Sequence, residues 1–264
     1  MTADITSSDC MFDDLQLFRQ IARQSRPVQF TVSDNIVKLA VQMLRGMPPM
    51  PVEPHILFAW KGFAKALQAF KACVLLCEAG AIGEASAMAR ITAECTIVGT
   101  ALAREKLTLA AFLEANDKHW KPLAEQVSEL ITSPLLSEKG KKGFNQAQLD
   151  VDKFKQAYPD KGPNSFRVEQ LAREVDLSDL YLVGIRFPSG DGAHATKDSF
   201  NAHTDPLGIA QLTLGPTTVG LKRTMMIANL VGSFMLRFAA EDLGMTNFKE
   251  VAERAMEAST VSEP

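Results

Sequence analysis

Two long apolar segments joined by a five-residue turn constrain this chain most. His55 to Glu78 and Glu84 to Glu105 both carry apolar residues at helical spacing. Between them lies only Ala79-Gly80-Ala81-Ile82-Gly83. So short a connection predicts two antiparallel helices in contact, an αα-hairpin. Strand signals are weak by comparison. There is no sustained alternation with β-branched residues, and no Asn-Gly or Asp-Gly stands between apolar runs. The predicted fold class is all-α.

The rest of the chain reads the same way. Phe12, Leu15, Leu17, Phe18 and Ile21 outline a first amphipathic helix. Ile36, Leu39, Ala40 and Leu44 outline a second, with Ser33 or Asp34 as its cap. Gly46 to Pro54 holds four prolines and reads as a linker, with Pro54 suited to the first turn of the next helix. Further helices are expected over 107–117, 120–136 and 144–158, with a basic tip at Lys139–Gly143 and a loop at Pro159–Pro163. Val168, Leu171, Ala172 and Val175 mark a short helix. Leu177 to Ile185 reads as another, interrupted at Phe187–Gly192. Pro206 to Gly220 is irregular or partly helical. Leu221 to Leu243 is a core helix closed by Gly244, and Thr246 can cap a last helix running to about Met256. The predicted organisation is an N-terminal helical extension with its Pro-rich linker over 1–50, a helical bundle domain over 51–258 and a polar tail over 259–264.

Bulk properties exclude several function classes. A net charge of −3 and a pI of about 5.9 give no support for broad nucleic-acid binding. The first residues have neither the basic nor the apolar stretch of a signal peptide, and no uncharged run is long enough to span a bilayer. Four cysteines, at 10, 73, 77 and 95, suggest a reducing compartment, so a cytoplasmic location is expected.

From Ala85 to Ala103 the only charged residues are Arg90 and Glu94. With Met88, Ile91, Cys95, Val98 and Leu102 as the core face, the pair falls on an adjacent stripe with Ala87, Ile97 and Ala101, also apolar. Arg before Glu is the less favoured order for an isolated surface pair. Two readings stand: a partly buried structural ion pair, or part of a functional site. About a hundred residues later comes Arg186-Phe-Pro-Ser189-Gly-Asp191-Gly-Ala-His194. Its glycines give a turn with exposed backbone N–H groups that can hold an anion, and His194 titrates near neutrality. The alternative is a loop histidine bonded to neighbouring backbone. Cys73 and Cys77 share a helix face, but no fourth ligand has zinc-like spacing, so they read as small hydrophobes. No cofactor or metal site is expected.

Leu75 to Glu94, with its glycines followed by Arg-x-x-x-Glu, resembles the helix of a family of bacterial helical proteins catalogued as a domain of unknown function. Leu171 to Tyr181, followed by Arg186, Ser189 and His194, is similar to that family's second segment, and the resemblance extends over roughly 55–245. The Arg186…His194 segment is also similar to the motif of HEPN-type helical ribonucleases, where four to six residues separate Arg and His. Here seven do. That resemblance implies a ribonuclease or stress-defence protein, with His194 as acid or base, Arg186 or Arg90 on phosphate, Glu94 as orienting group, and Ser189 and Asp191 as further candidates. The alternative is a non-catalytic interaction or ligand-binding module in which Arg90, Glu94 and His194 form a structural network. The partners expected are RNA or a small anionic ligand, with no membrane; a homodimer is compatible with the sequence.

Overall fold

The computed structural model describes residues 15–47, 53–115, 166–188 and 217–260. All regular structure among them is helical. The chain divides into two compact units, Met1–Lys106 with Val168–Pro264, and Leu107–Arg167. In the second unit residues 109–115 are helical, the Ala111 N–H donates to Thr108 Oγ1 at 3.2 Å, and Phe112 stacks on Phe166 at 6.3 Å between ring centroids.

The first unit is built from α1 (Leu15–Ser25), α2 (Pro27–Arg45), α3 (Pro54–Glu78), α4 (Ile82–Ala103), α5 (Val168–Glu174) and α6 (Ser178–Tyr181). A π-helical turn, Leu182–Arg186, continues α6. Then come α7 (Leu221–Asp242), a 3₁₀ turn at Thr246–Phe248 and α8 (Lys249–Ser259). The α3/α4 hairpin forms as the sequence predicts. Gly80 takes the turn at φ 72°, a left-handed conformation that costs glycine little, and the Ala81 N–H donates to Leu76 O. Gly244, at φ 78°, follows α7 in the same way.

α4 packs on α3, α7, α5, α6 and the π-turn, and its buried face is not the predicted one. Of the predicted face Leu102 is buried, but Met88, Ile91, Cys95 and Val98 are half-buried, and Ala85, Ala89, Ala93, Thr92, Thr96, Ile97, Thr100 and Ala101 are buried instead. The reason is close approach. At Gly62 on α3 an added Cβ would stand 3.5 Å from Gly99 Cα. At Gly99 it would stand 2.8 Å from the Phe238 ring. Small residues let neighbouring backbones draw near, and Ile97 and Leu102 are the large side chains buried with them. The three threonines satisfy their hydroxyls by donating to the carbonyls of Met88, Thr92 and Thr96, each at 2.9 Å.

The N-terminal helices pack into this unit, α2 on α7, α8 and α3, and α1 on α3. α2 starts earlier than its predicted cap, with Pro27 in its first turn. Ser33 therefore lies inside the helix, fully buried, donating to Gln29 O at 3.1 Å and Asn229 Oδ1 at 2.6 Å. Asn229 Nδ2 donates to Gln29 O and Gln29 Oε1, and Ser233 Oγ to Ala255 O. This buried network fixes the register of α2, α7 and α8. On α1 the apolar Leu17 and Ile21 face outward, and Ala22 is the buried residue.

Candidate anion-binding cleft

Arg90 Nε donates to Glu94 Oε1 at 2.8 Å, with side chains 27% and 34% exposed. The pair is real but wet, and Arg90 makes further interactions of its own. Water screens such a pair and reduces its worth. Arg186 stands exposed at the end of the π-turn. Ser189, Asp191 and His194 lie outside the described residues.

The buried charge is elsewhere. Glu78, the last residue of α3, has a side chain only 1% exposed. It accepts from Arg19 Nε at 2.9 Å and Arg23 Nε at 2.7 Å. Arg23 also grips Asp34 with both terminal nitrogens, at 2.9 and 3.1 Å, and lies 5.0 Å from the Phe30 ring centroid. The Asp34 hydrogen bond raises the Arg23 pKa, burial opposes it, and Glu78 raises it further. This cluster locks α1 onto the α3 terminus, and its groups are consumed by one another. A similar clamp joins the ends of α4, α5 and α7. Arg104 donates to Asp242 Oδ1 at 2.7 Å and to Val175 O at 3.0 Å, and its pKa is raised chiefly by Asp242. Cys73 and Cys77 are buried free thiols, and the Cys77 pKa is raised by its hydrogen bond with Cys73 and by burial. Among the described residues no group of three or more His, Cys, Asp or Glu side chains could hold a metal ion. No helix there is long and apolar enough to cross a membrane.

What the sequence did not reveal is an open cleft of about 550 Å³ where three chain segments meet. Arg26, at the bend between α1 and α2, forms one side. Val183 and Phe187, from the π-turn and the residue after it, form another. Thr218 and Gly220, with Lys222, Arg223, Met226 and Ile227 from the first turns of α7, complete it. Local sequence places each wall. The π-turn passes close to α4 and α7 at Gly184, where an added Cβ would meet Ala93 Cβ at 2.6 Å and Val231 Cγ2 at 2.9 Å. Its widened ring, closed by Phe187 N–H to Leu182 O, ends at Phe187, whose ring is 50% exposed. Such turns recur at functional sites. Gly220, at φ 81°, lets the chain turn into α7, and the Thr217 N–H donates to Gly80 O, tying this entry to the α3/α4 turn. The Arg223 guanidinium lies 5.8 Å from the Phe187 ring centroid. Three cations thus line one cleft, and none of its described lining residues is acidic. Each cation also makes contacts within the chain, which a ligand would extend or compete with. The nearest sequence clue was Phe187, at the break after the predicted helix; Arg26 and Lys222-Arg223 gave no pattern, being about two hundred residues apart.

The fold and the cleft define a helical bundle with a cationic surface site. The chain belongs to a family of unknown function, DUF5677, whose model matches residues 58–208. That range ends short of the resemblance read from sequence to about 245. It takes in the α3/α4 hairpin and the π-turn with Val183 and Phe187, whereas Arg26, Lys222 and Arg223 fall outside it. No curated protein and no solved structure matches the chain.

Proposed function

We propose that this protein is a ligand-binding helical module and that its ligand is a small anion held in the cleft. The observation that carries this reading is the convergence of Arg26, Lys222 and Arg223 on one open cavity of ligand size. Guanidinium and ammonium groups there supply charge-assisted hydrogen bonds to a phosphate or carboxylate. The test is calorimetric titration of purified protein with pyrophosphate, AMP and decyl phosphate. Saturable one-to-one binding of at least one is expected, with loss of that binding in Lys222→Glu/Arg223→Glu at an unchanged melting temperature. Binding of none of them, or binding indifferent to the double reversal, overturns the reading.

A second reading is catalytic. In it the protein is a HEPN-like ribonuclease, with His194 as acid or base, Arg186, Arg90, Glu94, Ser189 and Asp191 as accompanying groups, and RNA as substrate. It is supported by the residue types and by the exposed position of Arg186 at the end of a π-turn beside Phe187. Incubation of wild type and His194→Asn with a mixed RNA pool tests it. Cleavage by wild type that is lost in His194→Asn, with the fold intact, favours catalysis. Intact RNA in both eliminates it.

A further inference from the structure

The cleft is not lined as a site for a compact inorganic anion or a polar nucleotide would be. Behind its three cations the lining is apolar: Val183, Phe187, Met226 and Ile227. Thr218 is its one neutral polar side chain. A nucleobase presents several donors and acceptors, and their desolvation is costly where nothing answers them. A hydrocarbon body loses nothing on such a surface and gains by leaving water. Leu182, Val219 and Val28, each about half exposed, stand within two residues of lining positions. With Phe187 they make up four of the seven large apolar side chains exposed in the described part of the molecule. Phe187, exposed beside the Arg223 guanidinium, is the side chain of this kind that lines the cleft itself, and exposed apolar groups of that sort mark interaction surfaces. The Arg223 guanidinium over Phe187 places positive charge at the margin of that apolar area, where the head of an amphiphile would sit.

We infer that the ligand is an amphipathic anion, an acyl or alkyl chain ending in a phosphate or carboxylate. The head pairs with Arg26, Lys222 and Arg223, and the chain lies along Val183, Phe187, Met226 and Ile227. This inference rests on the anion-binding reading and narrows it. The three cations and two of the four apolar lining residues, Met226 and Ile227, lie outside the matched family range, while Val183 and Phe187 lie within it.

The test is a titration series with the full chain below the micellar range. The probes are decyl phosphate, AMP, pyrophosphate and the neutral amphiphile octyl glucoside. Decyl phosphate is expected to bind one-to-one and at least about tenfold more tightly than AMP or pyrophosphate, a gap of about 1.4 kcal/mol. Octyl glucoside is expected not to bind. Phe187→Ala should weaken decyl phosphate more than pyrophosphate, and Arg223→Glu should weaken both. Both residues are exposed, so the variants should fold, and their melting temperatures verify it. AMP or pyrophosphate binding as tightly as decyl phosphate overturns this inference and leaves the anion-binding reading standing. Absence of binding by all three anions overturns both. Octyl glucoside binding as well as decyl phosphate shows that the charged head is not recognised. Capture by phosphatidylglycerol vesicles without binding of monomeric decyl phosphate assigns the surface to a bilayer rather than a free amphiphile, and also overturns it.

Discussion

Glu78 and Glu94 sit on the two arms of one hairpin, and each is paired with arginine, yet their environments are opposite. Glu94 meets Arg90 one turn away on its own helix, and both side chains stay about a third exposed. Glu78 is sealed from water and meets Arg19 and Arg23, which arrive from a helix more than fifty residues earlier. The pair that stands out in sequence is the solvated one. The buried charge sits where sequence reads only a helix end. An uncharged stretch of helix therefore says that most of its faces are covered; it does not say that a charge within it is covered too. Burial of a carboxylate depends on partners that can reach it, and the arginines for Glu78 are delivered by tertiary packing.

The largest effect expected from this contrast is in Arg19→Ala/Arg23→Ala. It leaves the Glu78 carboxylate buried with neither of its arginine partners, at a cost of about 3 kcal/mol, the lower end of the range for a broken buried pair because the arginines are themselves half exposed. Chemical denaturation measures it. Glu94→Ala should cost less than about 1 kcal/mol, as exposed pairs do. The reverse order of these two values would break the comparison.

Gly184→Ala comes next and probes the packing beside Glu94. Its methyl would stand 2.6 Å from Ala93 Cβ, an atom fixed to the α4 backbone, so the π-turn has to move. A loss of about 1–3 kcal/mol is expected. The cleft wall at Val183 and Phe187 would move with it, so a shift in decyl phosphate affinity should accompany the lower denaturation midpoint. An unchanged midpoint would show that the α4 flank is as loosely packed as the Arg90–Glu94 pair it carries.

The smallest effect is in pH dependence and sharpens the reading of Glu94. Burial pushes the Cys95 thiol from 9.0 up to about 11, and the Glu94 charge contributes in the same direction. Since the folded value is the higher one, the associated stability is complete below pH 9 and is lost as pH rises from 9 to about 11. Glu94→Gln should lower the thiol's titration midpoint and narrow that window. Thiol reactivity against pH, with Cys95→Ser subtracted, measures it. A midpoint unmoved by Glu94→Gln would show that solvent fully screens the charge.

Helix content and the hairpin were legible because they rest on local rules. Helical spacing, the proline at 54 and the glycines at 80 and 244 all act within a few residues of their effect. Helix boundaries were less so: Ser33 has the side chain of a cap but sits mid-helix, since Asn229 offers its hydroxyl a buried partner. The buried face of α4 was misjudged in part: glycines at 62 and 99 bring backbones close, and the buried side chains of α4 are mostly Ala and Thr, with Ile97 and Leu102 beside them. Of the candidate site, sequence brought out Arg90, Glu94 and Arg186, and the structure places the first two as a solvated pair and the third in the open.

By itself the sequence determined that this chain is helical, where its main hairpin turns and which family it resembles. The first two come from short-range backbone preferences and the periodicity of apolar residues, and the third from matching motif residues such as Arg90 and Glu94. Tertiary structure alone decided which charge is buried, which face of α4 is core, and that Arg26, Phe187 and Arg223 line one cleft. Those depend on distances between residues far apart in the chain, and no spacing along one strand of sequence encodes them until the helices pack.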